Sequence, residues 1–90
     1  MKTMEKMIEI LKRCQELQAE VMVMNDGHSL HVDIMSLKYS ETGNYRVSVT
    51  VTLFHEGGKI ENDWDFNFYD SDEEIAAKAT QMEEYIENLK

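Results

Sequence analysis

Tyr45-Arg46-Val47-Ser48-Val49-Thr50-Val51-Thr52-Leu53 alternates apolar and polar side chains without a break. A period of two places Tyr45, Val47, Val49, Val51 and Leu53 on one side of an extended chain, and Arg46, Ser48, Thr50 and Thr52 on the other. The β-branched residues suit a pleated, half-buried surface. Turn signals bound the run, with Ser40-Glu41-Thr42-Gly43-Asn44 before it and Glu56-Gly57-Gly58-Lys59 after it.

Similar patterns lie on either side. Leu30, Val32 and Ile34 alternate with His31 and Asp33. The apolar positions then change phase to Met35, Leu37 and Tyr39, which predicts a bulge or twist near Ile34-Met35. Beyond Gly57-Gly58, the apolar Ile60, Trp64, Phe66 and Phe68 alternate with Glu61, Asp63, Asp65 and Asn67. Three such strands joined by short turns predict an antiparallel meander.

Helical periodicity flanks the strands. Met4, Met7, Ile8, Leu11, Cys14, Leu17, Val21 and Met24 recur at spacings of three and four, with Thr3 placed as N-cap. Asn25-Asp26-Gly27 supplies the stop, and Gly27 suits a left-handed residue past the helix end. Val21-Met22-Val23-Met24 would also suit a short strand, with the same stop as a hairpin turn, but helix is preferred. Asp70-Ser71-Asp72-Glu73-Glu74 opens a second helix, with Ser71 and Glu74 spaced as a capping box. Early acids there suit the positive end of the helix dipole. Ile75, Ala79, Met82, Ile86 and Leu89 follow as a narrow stripe. The expected fold is α+β, a two-layer α-β-β-β-α sandwich over residues 1–90 as one domain. Both helices lie on the apolar sheet face, and the other face is open to solvent or a partner.

Charge bounds the function. The chain has 18 Asp and Glu against 9 Lys and Arg, a net charge of -9. The imbalance is uneven, with 5 basic and 7 acidic residues up to Tyr45 but 4 and 11 after it. Between Glu61 and Glu87 the only basic side chain is Lys78. Such a field repels nucleic acid and anionic membrane and attracts basic protein surfaces. No apolar run approaches the roughly 18 residues a membrane span requires. The N-terminal pattern is charged and amphipathic, unlike a signal peptide. Cys14, the one cysteine, falls on the helical stripe and reads as a small buried hydrophobe. A reducing cytoplasm is the expected compartment.

Motifs for chemistry are weak. Asp63, Asp65, Asn67, Ser71 and Glu74 match ligand positions of a calcium-binding EF-hand loop, but Phe68 stands where that loop needs glycine. Strand alternation followed by a capped helix accounts for the same residues. His28 and His31 have a spacing that serves metals on a helix, but on a strand they point to opposite faces. His31 and Asp33 share a face, and a neighbouring strand would have to add a third ligand. Asp63 and Asp65 both point to solvent, away from the burial that acid–base work by a carboxyl pair requires. No nucleophile elbow or phosphate-cradling glycine loop occurs. Neither an enzyme, a cofactor, a metal site nor direct nucleic-acid binding is expected.

What remains is the acidic surface. Glu61, Asp63 and Asp65 would stand in a row about 7 Å apart on the third strand. Asp70, Asp72, Glu73, Glu74, Glu83, Glu84 and Glu87 continue it around the second helix. Successive phosphates on one DNA strand have a similar spacing. In its opening helix Thr3–Met24, its meander Leu30–Phe68 and its acidic stretch Glu61–Glu87, the chain resembles small acidic phage proteins that inhibit host defence, including anti-CRISPR inhibitors and other DNA mimics. The resemblance rests on architecture and charge. It implies a non-enzymatic binder that occupies a basic groove meant for nucleic acid. The alternative is a homodimeric structural or assembly domain that buries Ser48, Thr50, Thr52 and Phe54 across a two-fold axis. A metal-binding domain ranks third.

Overall fold

The computed structural model describes residues 2–24, 26–38, 45–67 and 69–90, and the side chains of 5–24, 26–35, 47–67 and 69–90. Five elements follow in order: α1 (Lys2–Met24), β1 (His28–Lys38), β2 (Tyr45–His55), β3 (Lys59–Asn67) and α2 (Asp72–Leu89). The strands form one antiparallel sheet in the order β1-β2-β3, giving the α+β architecture that the periodicities predict. Expectations placed on Asn25, Tyr39, the turn at 40–44 and Phe68, and on the side chains of Thr3, Met4, Leu37, Tyr45 and Arg46, lie outside the described residues.

The core uses one sheet face. Leu30 of β1, Val49, Val51 and Leu53 of β2, and Trp64 and Phe66 of β3 are buried together. Met7, Ile10, Cys14, Leu17 and Val21 reach them from α1, and Ile75, Met82 and Ile86 from α2. Both helices therefore cover the same face. In α1 the buried stripe is narrower than expected. Ile10 takes the place assigned to Ile8, which is 49% exposed. The spacing 7, 10, 14, 17, 21 is a strict three-four repeat, and Ile8 falls outside it.

The ends follow local chemistry. α1 begins at Lys2, so Thr3 lies inside its first turn rather than capping it. Residues 21–24 are helical, and Gly27 takes φ +91° just past the helix, where a side chain would be strained. At the start of α2, the Ser71 hydroxyl accepts the Glu74 amide at 3.1 Å, which is the N-cap half of the expected capping box.

One register detail departs from expectation. β1 pairs with β2 without interruption from His28 to Lys38, so no bulge occurs near Ile34-Met35. Ile34 keeps the inward phase of Leu30 and Val32 but is 49% exposed, and Met35 points to the opposite face. The apparent phase change reflects apolar residues on both faces of a strand. The irregularity lies instead between β2 and β3, where Leu53 faces Asn62 and Phe54 faces Ile60. Glu61 is the extra residue of a β-bulge.

Helix side chains also blunt the sheet edges. Gln18 Nε2 donates to the Leu30 carbonyl at 3.1 Å, and Lys78 Nζ donates to the Asp65 carbonyl at 2.8 Å. Occupied edge carbonyls offer less of a template to a foreign strand. Arg13 pairs with Glu83, and Lys90 with Glu20 at 2.6 Å, so two ion pairs tie α1 to α2. No helix among the described residues is long and apolar enough to cross a membrane.

Cys14 is fully buried, and burial pushes its thiol pKa up to about 11. The native thiol is therefore protonated and inaccessible near neutral pH. Labelling with a chromogenic disulfide reagent at pH 8 should be negligible in buffer and become fast across the urea unfolding transition. Fast labelling of the native chain would place Cys14 outside the core.

Candidate functional site

The ten acids expected to form one surface divide among several environments. Asp63 and Asp65 point away from the helices, onto the uncovered sheet face, and both are exposed. The bulge breaks their row by turning Glu61 toward the helix side. Asp70 is buried at 7% exposure, where its carboxylate accepts the Asn67 amide and the Lys78 ammonium, each at 3.0 Å. Burial alone would raise the Asp70 pKa, but those two donors outweigh it and hold the group below the usual carboxylate range. Asp70 is thus a latch between β3 and α2, not a free surface charge. Glu83 is engaged by Arg13, and Glu87 by Lys90 at 3.1 Å. Asp72, Glu73, Glu74 and Glu84 lie on α2, on the opposite side of the sheet from Asp63 and Asp65.

The uncovered face has its own order. Thr50 pairs with Asp33 on one side and Asp65 on the other, and Thr52 pairs with His31 and Asp63. Two rows therefore cross the sheet, Asp33-Thr50-Asp65 and His31-Thr52-Asp63. Hydroxyls, not a third ligand, stand beside His31 and Asp33. No Lys or Arg lies on this face among the described side chains. Asp33 is the acid that reasoning from the dense C-terminal half leaves out. Asp63 to Asn67 lies in β3, with Trp64 and Phe66 buried between the acids, so the EF-hand spacing is a strand pattern.

A second cluster forms where β1 begins and β2 ends. His28 and His55 are opposite in register and share the inward phase of Leu30 and Leu53. Their rings stack with centroids 4.1 Å apart and planes 9° from parallel. The bulge brings Glu61 to them. Glu61 Oε1 lies 3.1 Å from His28 Nε2 and 3.6 Å from His55 Nδ1. Its other oxygen, Oε2, accepts the Tyr85 hydroxyl from α2 at 2.7 Å. On the far side of His28, Nδ1 lies 2.8 Å from Asp26 Oδ2, and the His28 amide donates to Asp26 Oδ1 at 3.2 Å.

The charges follow from this geometry. Burial opposes the charged form of His28, but hydrogen bonds to Asp26 and Glu61, reinforced by their charges, raise its pKa. Glu61 is held low by the hydroxyl of Tyr85 and then by His28, and Tyr85 is raised in turn by Glu61. Sequence spacing pairs His28 with His31, whereas the fold pairs it with His55. Strand parity carries part of the signal, because His28 and His55 sit two residues outside Leu30 and Leu53. No family model, curated protein or solved structure matches the chain.

Proposed function

We propose that this chain is a small non-enzymatic binding module that presents the uncovered face of its sheet to a basic protein surface, of the kind that otherwise holds nucleic acid. The supporting observation is the composition of that face. Asp33, Asp63 and Asp65 flank a hydroxyl-rich middle strand, with no described Lys or Arg among them. The net charge of -9 adds long-range attraction to a cationic partner. Along β3 the two aspartates are about 7 Å apart, as strand rise requires, which is close to phosphate spacing. The same reading joins the chain to the class of small acidic inhibitors that it resembles.

Charge-driven association weakens with salt. A partner captured from the native host by the tagged chain should be released by raised salt and by excess duplex DNA. The double variant Asp63→Lys and Asp65→Lys should lose at least about tenfold in affinity, the scale of removing about 1.4 kcal/mol of attraction. Glu73→Lys with Glu84→Lys, on the helix side, should lose less. A partner held equally well by all three chains, or at all salt concentrations, would refute the assignment. A second copy is the competing occupant, favoured by Met35 and Ile60, 67% and 66% exposed. Sedimentation decides between them, and a monomer at micromolar concentration removes the homodimer.

A further inference from the structure

We propose that His28, His55 and Glu61 form a binding site for one divalent first-row transition-metal ion, zinc being the simplest case. Three residues from three strands, His28, His55 and Glu61, each offer one donor atom, and these atoms lie within 4.8 Å of one another. Two of their separations are 3.1 and 3.6 Å. Tetrahedral zinc with bonds of about 2.1 Å separates its ligands by about 3.4 Å. Imidazole with carboxylate suits zinc, cobalt, nickel or iron, whereas calcium and magnesium prefer oxygen alone.

The surrounding hydrogen bonds single out these donor atoms. Asp26 occupies Nδ1 of His28, which leaves Nε2 as the atom facing Glu61. Tyr85 occupies Oε2 of Glu61, which leaves Oε1 facing both rings. A carboxylate on the far nitrogen of a ligating histidine, and a donor on the far oxygen of a ligating carboxylate, are the usual outer supports of a metal. The contact between His28 and Glu61 also needs a positive centre. With its Nδ1 proton donated to Asp26, a neutral His28 would turn a bare lone pair toward a carboxylate. Either a second proton or a metal ion resolves that repulsion, and the ion takes the place of the Nε2 proton.

In the stacked arrangement the two ring planes are 9° apart, so their lone pairs do not yet converge. Binding therefore turns His55, whose side chain is 39% exposed, while His28, 8% exposed and held by Asp26, stays fixed. Water fills the remaining coordination position, as in other sites with three protein ligands.

Zinc titration of the metal-free full chain tests this. We expect one ion per chain by calorimetry and a rise in Tm of about 10 °C at a hundredfold excess over Kd. His28→Gln and His55→Gln should each abolish the response, and Asp26→Asn should weaken binding about 10- to 100-fold. Because the variants also remove a ring stack, the wild-type chain supplies a second readout by NMR. Zinc should shift the ring signals of His28 and His55 and leave those of His31 in place. No binding at submillimolar zinc, binding that survives loss of both histidines, or ring shifts confined to His31 would overturn the site.

Discussion

Replacing Phe66 with alanine should remove about 3–5 kcal/mol of stability. Phe66 is fully buried on the inner face of the edge strand β3, opposite Val49 in register and within the cluster that joins both helices to the strands. Truncation loses the transfer free energy of the ring and leaves a cavity, because the neighbouring strand and the overlying helices cannot collapse fully into it. A domain of this length holds roughly 5–13 kcal/mol in total, so one substitution spends much of its reserve. Urea unfolding followed by fluorescence of the single tryptophan should show the midpoint falling by roughly 3 M at an unchanged slope. Met22→Ala, at a side chain 72% exposed, should stay within about 0.5 kcal/mol of the parent. Equal effects at both positions would mean that the core has been misplaced.

The second large effect belongs to Asp70. Asparagine keeps the size but removes the charge that receives the Asn67 amide and Lys78, and should destabilise the domain by about 2 kcal/mol at pH 7. The pH dependence carries the sharper test. The folded pKa of Asp70 lies below its unfolded value of about 3.9, so its contribution is fully present above that value. That contribution is lost as pH falls through the folded pKa. The parent and Asp70→Asn should therefore differ most at neutral pH and converge below about pH 4. A difference independent of pH would show that the carboxylate acts by shape and not by charge.

Much of the fold was legible because periodicity reports burial directly. The alternation at 47–53 and the stripe Ile75, Met82, Ile86 each describe one side of an element, and both sides were assigned correctly. Ser71 was legible for a different reason, since a cap depends on neighbours three residues away. The errors share a cause as well. Asp63 and Asp70 look alike as letters, yet one faces solvent and the other is a buried latch, and the distinction depends on where Lys78 arrives from α2. The same lysine had stood out only as a lone cation in an acidic stretch. The pairing of His28 with His55 depends on strand register, which spacing along one strand does not report. Glu61 was unreadable for a stronger reason, since a bulge is an interruption of the very alternation used to assign its side.

That interruption makes the strand's length negotiable at one point. Between Ile60 and Asn62 the chain uses three residues where the partner strand uses two. Excising Glu61 would set Ile60 and Asn62 side by side against Phe54 and Leu53, and the ladder would close with Trp64 and Phe66 still facing inward. A one-residue deletion between Asp63 and Asn67 has no such slack, and would invert every side chain on one side of the cut. Descendants of this sequence can therefore shorten β3 here while keeping their core. The residue they would discard is the one that gathers the two histidines.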